Sequence, residues 1–107
     1  LYRVLPYHAD IATKNNLQLV LYEAGTHVTG VGLVVDDPEL TDFYIHLNYS
    51  PEMGLLYEEL LAGWAALSDG AFTAFNDVMA PSKWGSWGAL RHLQDATPRW
   101  DALEAAK

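Results

Sequence analysis

"LVLYEAGTH", Leu19 to His27, is the stretch on which the reading of this chain turns. An apolar run, Leu19-Val20-Leu21-Tyr22, ends in the carboxylate of Glu23, followed by small residues and a histidine. A continuous run of this length, taken over residues 17 to 23, reads as a strand buried on both faces, as in a parallel sheet. In parallel α/β folds ligands meet the C-terminal ends of the strands. Glu23 therefore stands where function is expected.

Upstream, "HADIATKNN" (8–16) reads as the end of a short helix, with Asn15-Asn16 as its cap or turn. Downstream, "AGTHVTGVG" is a loop, and "LVV" (33–35) reads as a short strand or a packed loop. "DDPELTD" reads as loop or the start of a helical turn, and "FYIHLNY" (43–49) fits helix or strand. The clearest element is "SPEMGLLYEELLAGWAAL". Ser50 is a good N-cap, Pro51 suits the first helical position, and Glu52 favours the positive end of the helix dipole. Met53, Leu56, Tyr57, Leu60, Leu61, Trp64 and Leu67 recur at helical spacing and are expected to face a core. "AFTAF" (71–75) reads as a second strand and "NDVMAPSKWGSWG" as a long loop. "ALRHLQD" (89–95) reads as a short helix, and "TPRWDALEAA" as another, capped by Thr97 with Pro98 at its first position. Strands alternating with helices imply parallel strands joined by crossovers, an α/β fold.

The 107 residues suffice for one small domain with a modest core. Half of them are apolar and 12% aromatic, which is globular composition. With 14 acidic against 6 basic residues the net charge is −8, which argues against nucleic acid and anionic membrane as partners. No apolar run approaches the roughly 18 residues of a membrane span. The absence of cysteine rules out disulfides and thiolate metal sites. It fits a cytoplasmic protein and a secreted bacterial one equally. A start at Leu1, running directly into "YRVLP", is what a piece of a longer protein would show.

Glu23 is the first candidate for chemistry, as a strand-end carboxylate; the plainer reading is an exposed loop glutamate. Tyr22 stands beside it as a candidate substrate contact. Glycoside hydrolysis needs a second carboxylate, about 5–5.5 Å away for retention and farther for inversion. Asp36, Asp37 and Asp77 are the local candidates. His27 either binds a ligand, orients Glu23 or caps loop backbone. His8, His46 and His92 show no metal-ligand spacing, so no metal and no other cofactor is expected. In "KWGSWG", Lys83, Trp84 and Trp87 form the second cluster. Exposed indoles stack on sugar rings or anchor protein interfaces; the plainer reading has at least one of them buried under the loop. Asn76 and Asp77 close the second strand, where they either bind ligand hydroxyls or form a turn.

Taken together, "LVLYEAGTHVTG", "PEMGLLYEELLAGWAALSDGAFTAFNDVMAPSKWGSWGAL" and "TPRWDAL" resemble the C-terminal part of a group of bacterial proteins. That group is similar to glycoside hydrolases of the (β/α)8-barrel superfamily, and some members are labelled cellulose-binding. The resemblance implies that the strands are the seventh and eighth of a TIM barrel, present as a partial barrel or a small α/β domain. It implies Glu23 as the nucleophile of a retaining mechanism, with Trp84 or Trp87 as an aromatic platform for carbohydrate. The acid/base glutamate of such enzymes follows strand four, which has no counterpart here, so the chain alone is expected to be inactive. The alternative is a non-catalytic carbohydrate-binding or protein-interaction module. A complete barrel takes about 250 residues. Two strands cut from one expose edges and an apolar face, so pairing with the remainder of a parent chain or with a second copy is expected.

Overall fold

The computed structural model describes residues 3–107; Leu1 and Tyr2, which carry the expectation of an internal start, lie outside them. The described chain is a small α/β domain of four helices and a two-stranded parallel sheet, not closed into a barrel. The order is α1 (Val4–Lys14), β1 (Leu21–Ala24), a single 3-10 turn (Gly32–Val34), α2 (Pro38–Asn48), α3 (Pro51–Ala65), β2 (Phe72–Ala74) and α4 (Pro98–Ala105).

Local chemistry starts three of the helices in the same way. Asp37, Ser50 and Thr97 each accept a hydrogen bond from the backbone N–H three residues on, and each is followed by proline. The cap satisfies an orphan donor, and proline has no N–H to leave unpaired. "DPELTD" therefore opens a full helix that takes in most of "FYIHLNY". α1 ends at Lys14, with Asn15 as C-cap and Asn16 in the left-handed region at φ 53°.

β1 and β2 pair in parallel, with Leu21 opposite Phe72 and Ala24 opposite Ala74. The expectation of a strand buried on both faces needs correction. Only Ala24 of β1 is buried, Tyr22 is 84% exposed, and Val20 before the strand is also exposed. Burying both faces takes layers on both sides and neighbouring strands, and the described residues supply one pairing. "LVV" forms neither strand nor packed loop but part of the 3-10 turn, with Leu33 fully exposed.

The core lies between α3 and α4. Met53, Tyr57 and Ala102 are buried there, with Leu47, Leu61 and Leu103 around them. Trp64 is buried too; its indole N–H donates to the Gly70 carbonyl at 3.0 Å and its ring meets Phe72 edge-on. Leu56, expected inward, is 57% exposed, because α3 is apolar over a wider arc than α4 and β2 cover. The whole molecule is open. Its accessible surface is 7251 Å², against roughly 5,900 Å² for a compact monomer of this mass. Its radius of gyration is 15.3 Å, against about 13 Å.

Residues 89–95 are not helical. The backbone N–H groups of Ala89 and Leu90 donate to the carbonyls of Asn76 and Asp77, and Leu90 accepts from Met79. The Asp95 carboxylate then takes the N–H groups of Arg91 and Ala96 and a two-pronged bond from the Arg91 guanidinium, at 2.7–2.9 Å. Side-chain bonds of this kind compete with the helix ladder. They also hold the Asp95 carboxyl well below the usual carboxylate range, the Arg91 hydrogen bond contributing most. The Asp95 side chain is 6% exposed but that of Arg91 is 43% exposed, so solvent reaches the pair from the arginine side and screens it in part. Asp95→Asn is expected to cost about 1–3 kcal/mol near neutral pH. The lowered pKa adds stability above the unfolded value near 3.9, and that contribution is lost as pH falls below it. Urea midpoints should therefore separate wild type from Asp95→Asn at pH 7 and 5, and the gap should narrow progressively as the pH falls below about 4; a gap independent of pH would refute this role.

Candidate functional site

The C-terminal ends of β1 and β2 open into a cleft of about 310 Å³ lined by Glu23, Ala24, Gly25, Thr26, His27, Phe75 and Trp87. β1 delivers Glu23. Tyr22, beside it, is largely exposed and absent from the lining, in a stretch where the pairing register shifts between Leu21 and Ala24. Gly25 then turns the chain at φ 139°. A Cβ there would lie 3.0 Å from the Tyr57 hydroxyl, so glycine answers both the backbone angle and the close approach.

His27 is fixed from two sides. Its Nε2 lies 3.0 Å from the Trp84 carbonyl oxygen, which only accepts, so Nε2 carries the proton. Its ring lies 5.3 Å from that of Trp87, tilted by 47°. Phe75 meets Trp87 edge-on at 6.2 Å. Trp87 is thus the middle member of an aromatic row beside the carboxylate.

The other singled-out residues lie elsewhere. Lys83 is ion-paired with Asp36, its ammonium 4.6 Å from the centre of the Trp84 ring. Trp84 is 57% exposed, at the tip of a tight turn closed by paired backbone bonds between Ser82 and Gly85. Trp87 is half-buried, so neither indole is the fully buried plug that the plainer reading allowed. Asn76 pairs through its backbone with Trp87 and Ala89, and its side-chain amide donates to the Met79 sulfur at 3.7 Å. Asp77 lines a different hollow, a groove of about 860 Å³ whose apolar walls include Leu61, Trp64, Phe72 and Trp100. Glu23 is therefore the one carboxylate among the cleft's lining residues. Among the described residues no three His, Asp or Glu side chains converge as metal ligands.

Arg99, which sequence reasoning passed over, holds the two strand-end loops together. It is fully buried. Its Nη1 donates to Thr26 Oγ1 at 3.1 Å and to the Ser86 carbonyl at 2.9 Å, and its Nη2 donates to the Gly88 carbonyl. The guanidinium lies 4.6 Å from the ring centre of Tyr49 and 5.7 Å from that of Tyr57. The tyrosine hydroxyls reinforce the same loops: Tyr49 donates to the Gly88 carbonyl, and Tyr57 accepts from the Thr26 N–H. Burial pushes the Tyr49 phenol pKa up. One sequence signal was available: a cation at the second position of a helix opposes the dipole and calls for another reason to be there.

No protein-family model, no curated protein and no solved structure matches this chain.

Proposed function

We propose that this chain forms one wall of the active cleft of a retaining glycoside hydrolase of the (β/α)8-barrel type. In this reading Glu23 is the nucleophile, Trp87 the sugar platform, and β1 and β2 are the last two strands of the barrel. The observation that carries it is the juxtaposition, at the C-terminal ends of two parallel strands, of an exposed carboxylate with an indole in one cleft. Indole faces stack on the C–H faces of sugars, and Trp84, farther out, would extend the platform. The remainder of a parent chain, or a second copy, would cover the open sheet edges and exposed apolar side chains; sedimentation of the chain separates the second case from the first.

Retention needs an acid/base carboxylate about 5–5.5 Å from the nucleophile. Glu23 has none among the cleft residues, so turnover would depend on a carboxylate from outside the chain. The same observation favours a second reading, a carbohydrate-binding module without turnover.

Titration of a panel of soluble polysaccharides and oligosaccharides into the chain tests both. Binding is expected for at least one member, falling about tenfold on Trp87→Ala and changing little on Glu23→Gln. The chain alone should release no reducing sugar. Joined to a barrel that supplies the acid/base, it should hydrolyse the bound sugar, and Glu23→Gln should abolish that. Turnover that survives Glu23→Gln sinks the nucleophile assignment; no binding anywhere in the panel sinks both readings.

A further inference from the structure

We propose that Arg99 is the positioning residue of the strand-end cleft, its guanidinium holding the Thr26 hydroxyl next to His27 and the backbone carbonyls on both sides of Trp87 so that the two rings meet. The guanidinium has three acceptors. Thr26 precedes His27, and Ser86 and Gly88 flank Trp87. His27 and Trp87 are therefore each carried next to residues that the same rigid fork holds.

The surroundings add to the clamp. Thr26 Oγ1 accepts from Arg99 and donates to Asn48 Oδ1 at 2.8 Å, which ties the first loop to α2. The two tyrosine rings that flank the guanidinium carry hydroxyls bonded to the same loops. Packing alone does not account for arginine here, since an apolar side chain would fill the volume without opposing the dipole of α4. Several N–H donors in one plane, aimed at two separate loops, are what arginine adds. Lysine keeps the charge but has no planar fork with which to span them.

The test compares the full chain with Arg99→Lys and Thr26→Val. A control is Ser68→Ala, which removes a hydroxyl bonded to the Leu19 carbonyl and the Gly70 N–H before the N-terminal ends of the strands. The first readout needs no ligand: the ring-current displacement of the His27 imidazole C–H resonances by Trp87. It should collapse toward the free-histidine positions in Arg99→Lys, shrink in Thr26→Val, and persist in Ser68→Ala even though that variant melts earlier. Where a sugar binds the wild type, its affinity should fall about tenfold in Arg99→Lys and hold in Ser68→Ala. This second arm rests on the glycan reading above; the first does not, so failure of one is distinguishable from failure of the other. Thr26→Val leaves the arginine in place and decides the matter if Arg99→Lys does not fold. Wild-type ring-current shifts in Arg99→Lys or in Thr26→Val would overturn the proposal, as would an equal loss in Ser68→Ala.

Discussion

Arg99→Ala is expected to destabilise the chain by about 3–5 kcal/mol. The side chain is fully buried and donates to three acceptors on two loops. Two of these keep a second partner after truncation: Gly88 still accepts from Tyr49, and Thr26 still donates to Asn48. The Ser86 carbonyl loses the bond it makes to the guanidinium, and the space between Tyr49 and Tyr57 empties. Truncation loses charge-assisted bonds, at about 1.5–3 kcal/mol each, and opens a cavity, offset by the acceptors that remain satisfied. Small domains hold only about 5–15 kcal/mol in total, so the loss is a large share of the stability and a clearly lowered denaturation midpoint is the expected result. Arg99→Met, which restores volume but not the donors, should recover part of the loss. Chemical denaturation of the three proteins measures both effects. A cost below about 1 kcal/mol for Arg99→Ala would mean that the loops hold without the clamp.

Gly54→Ala and Gly63→Ala should move stability in opposite directions. Both glycines lie in α3, where alanine is intrinsically better by about 1 kcal/mol. A Cβ at Gly63 meets nothing within 4 Å, so that gain should appear in full. At Gly54 it would lie 2.6 Å from the Pro98 Cβ and 3.1 Å from the Pro98 carbonyl carbon and oxygen. Backbone cannot rotate away as a side chain does, so the start of α4 must shift. Thr97 and Arg99 flank that proline, and the core residues Tyr57 and Ala102 pack at the same helix contact. Overpacking of this kind costs about 1–3 kcal/mol, which outweighs the propensity gain. Gly63→Ala should raise the denaturation midpoint and Gly54→Ala should lower it. A rise in both would show that α4 is not held against α3 at Pro98.

Much of the local structure was legible because its causes are local. Ser50-Pro51 and Thr97-Pro98 each combine a cap with a residue that wastes no donor, and both helices begin there. Asn15-Asn16 ends α1 for an equally local reason. At the cleft, Glu23, His27 and Trp87 were legible as strand-end residues, and all three line it. Phe75 was read only as strand. Tyr22, Asn76, Asp77, Lys83 and Trp84, singled out with them, face or bind elsewhere, because adjacency in sequence does not decide which side of a strand or loop a side chain takes. Residues 89–95 carry a helical pattern, yet the backbone of Ala89 and Leu90 is committed to residues 76–79, partners that a short window does not contain.

The sequence by itself determined where α3 and α4 begin and where α1 ends, that the two strands run parallel, and that a carboxylate and a tryptophan-rich loop follow them. Capping, proline geometry and hydrophobic period act within a few residues, so they can be read along the chain. Only the tertiary structure decided that Trp87 rather than Trp84 enters the cleft, that Asp77 faces a separate groove, and that Arg99 binds both loops. Those outcomes depend on hydrogen bonds between residues as far apart as Thr26 and Arg99, formed only once α4 is packed against α3.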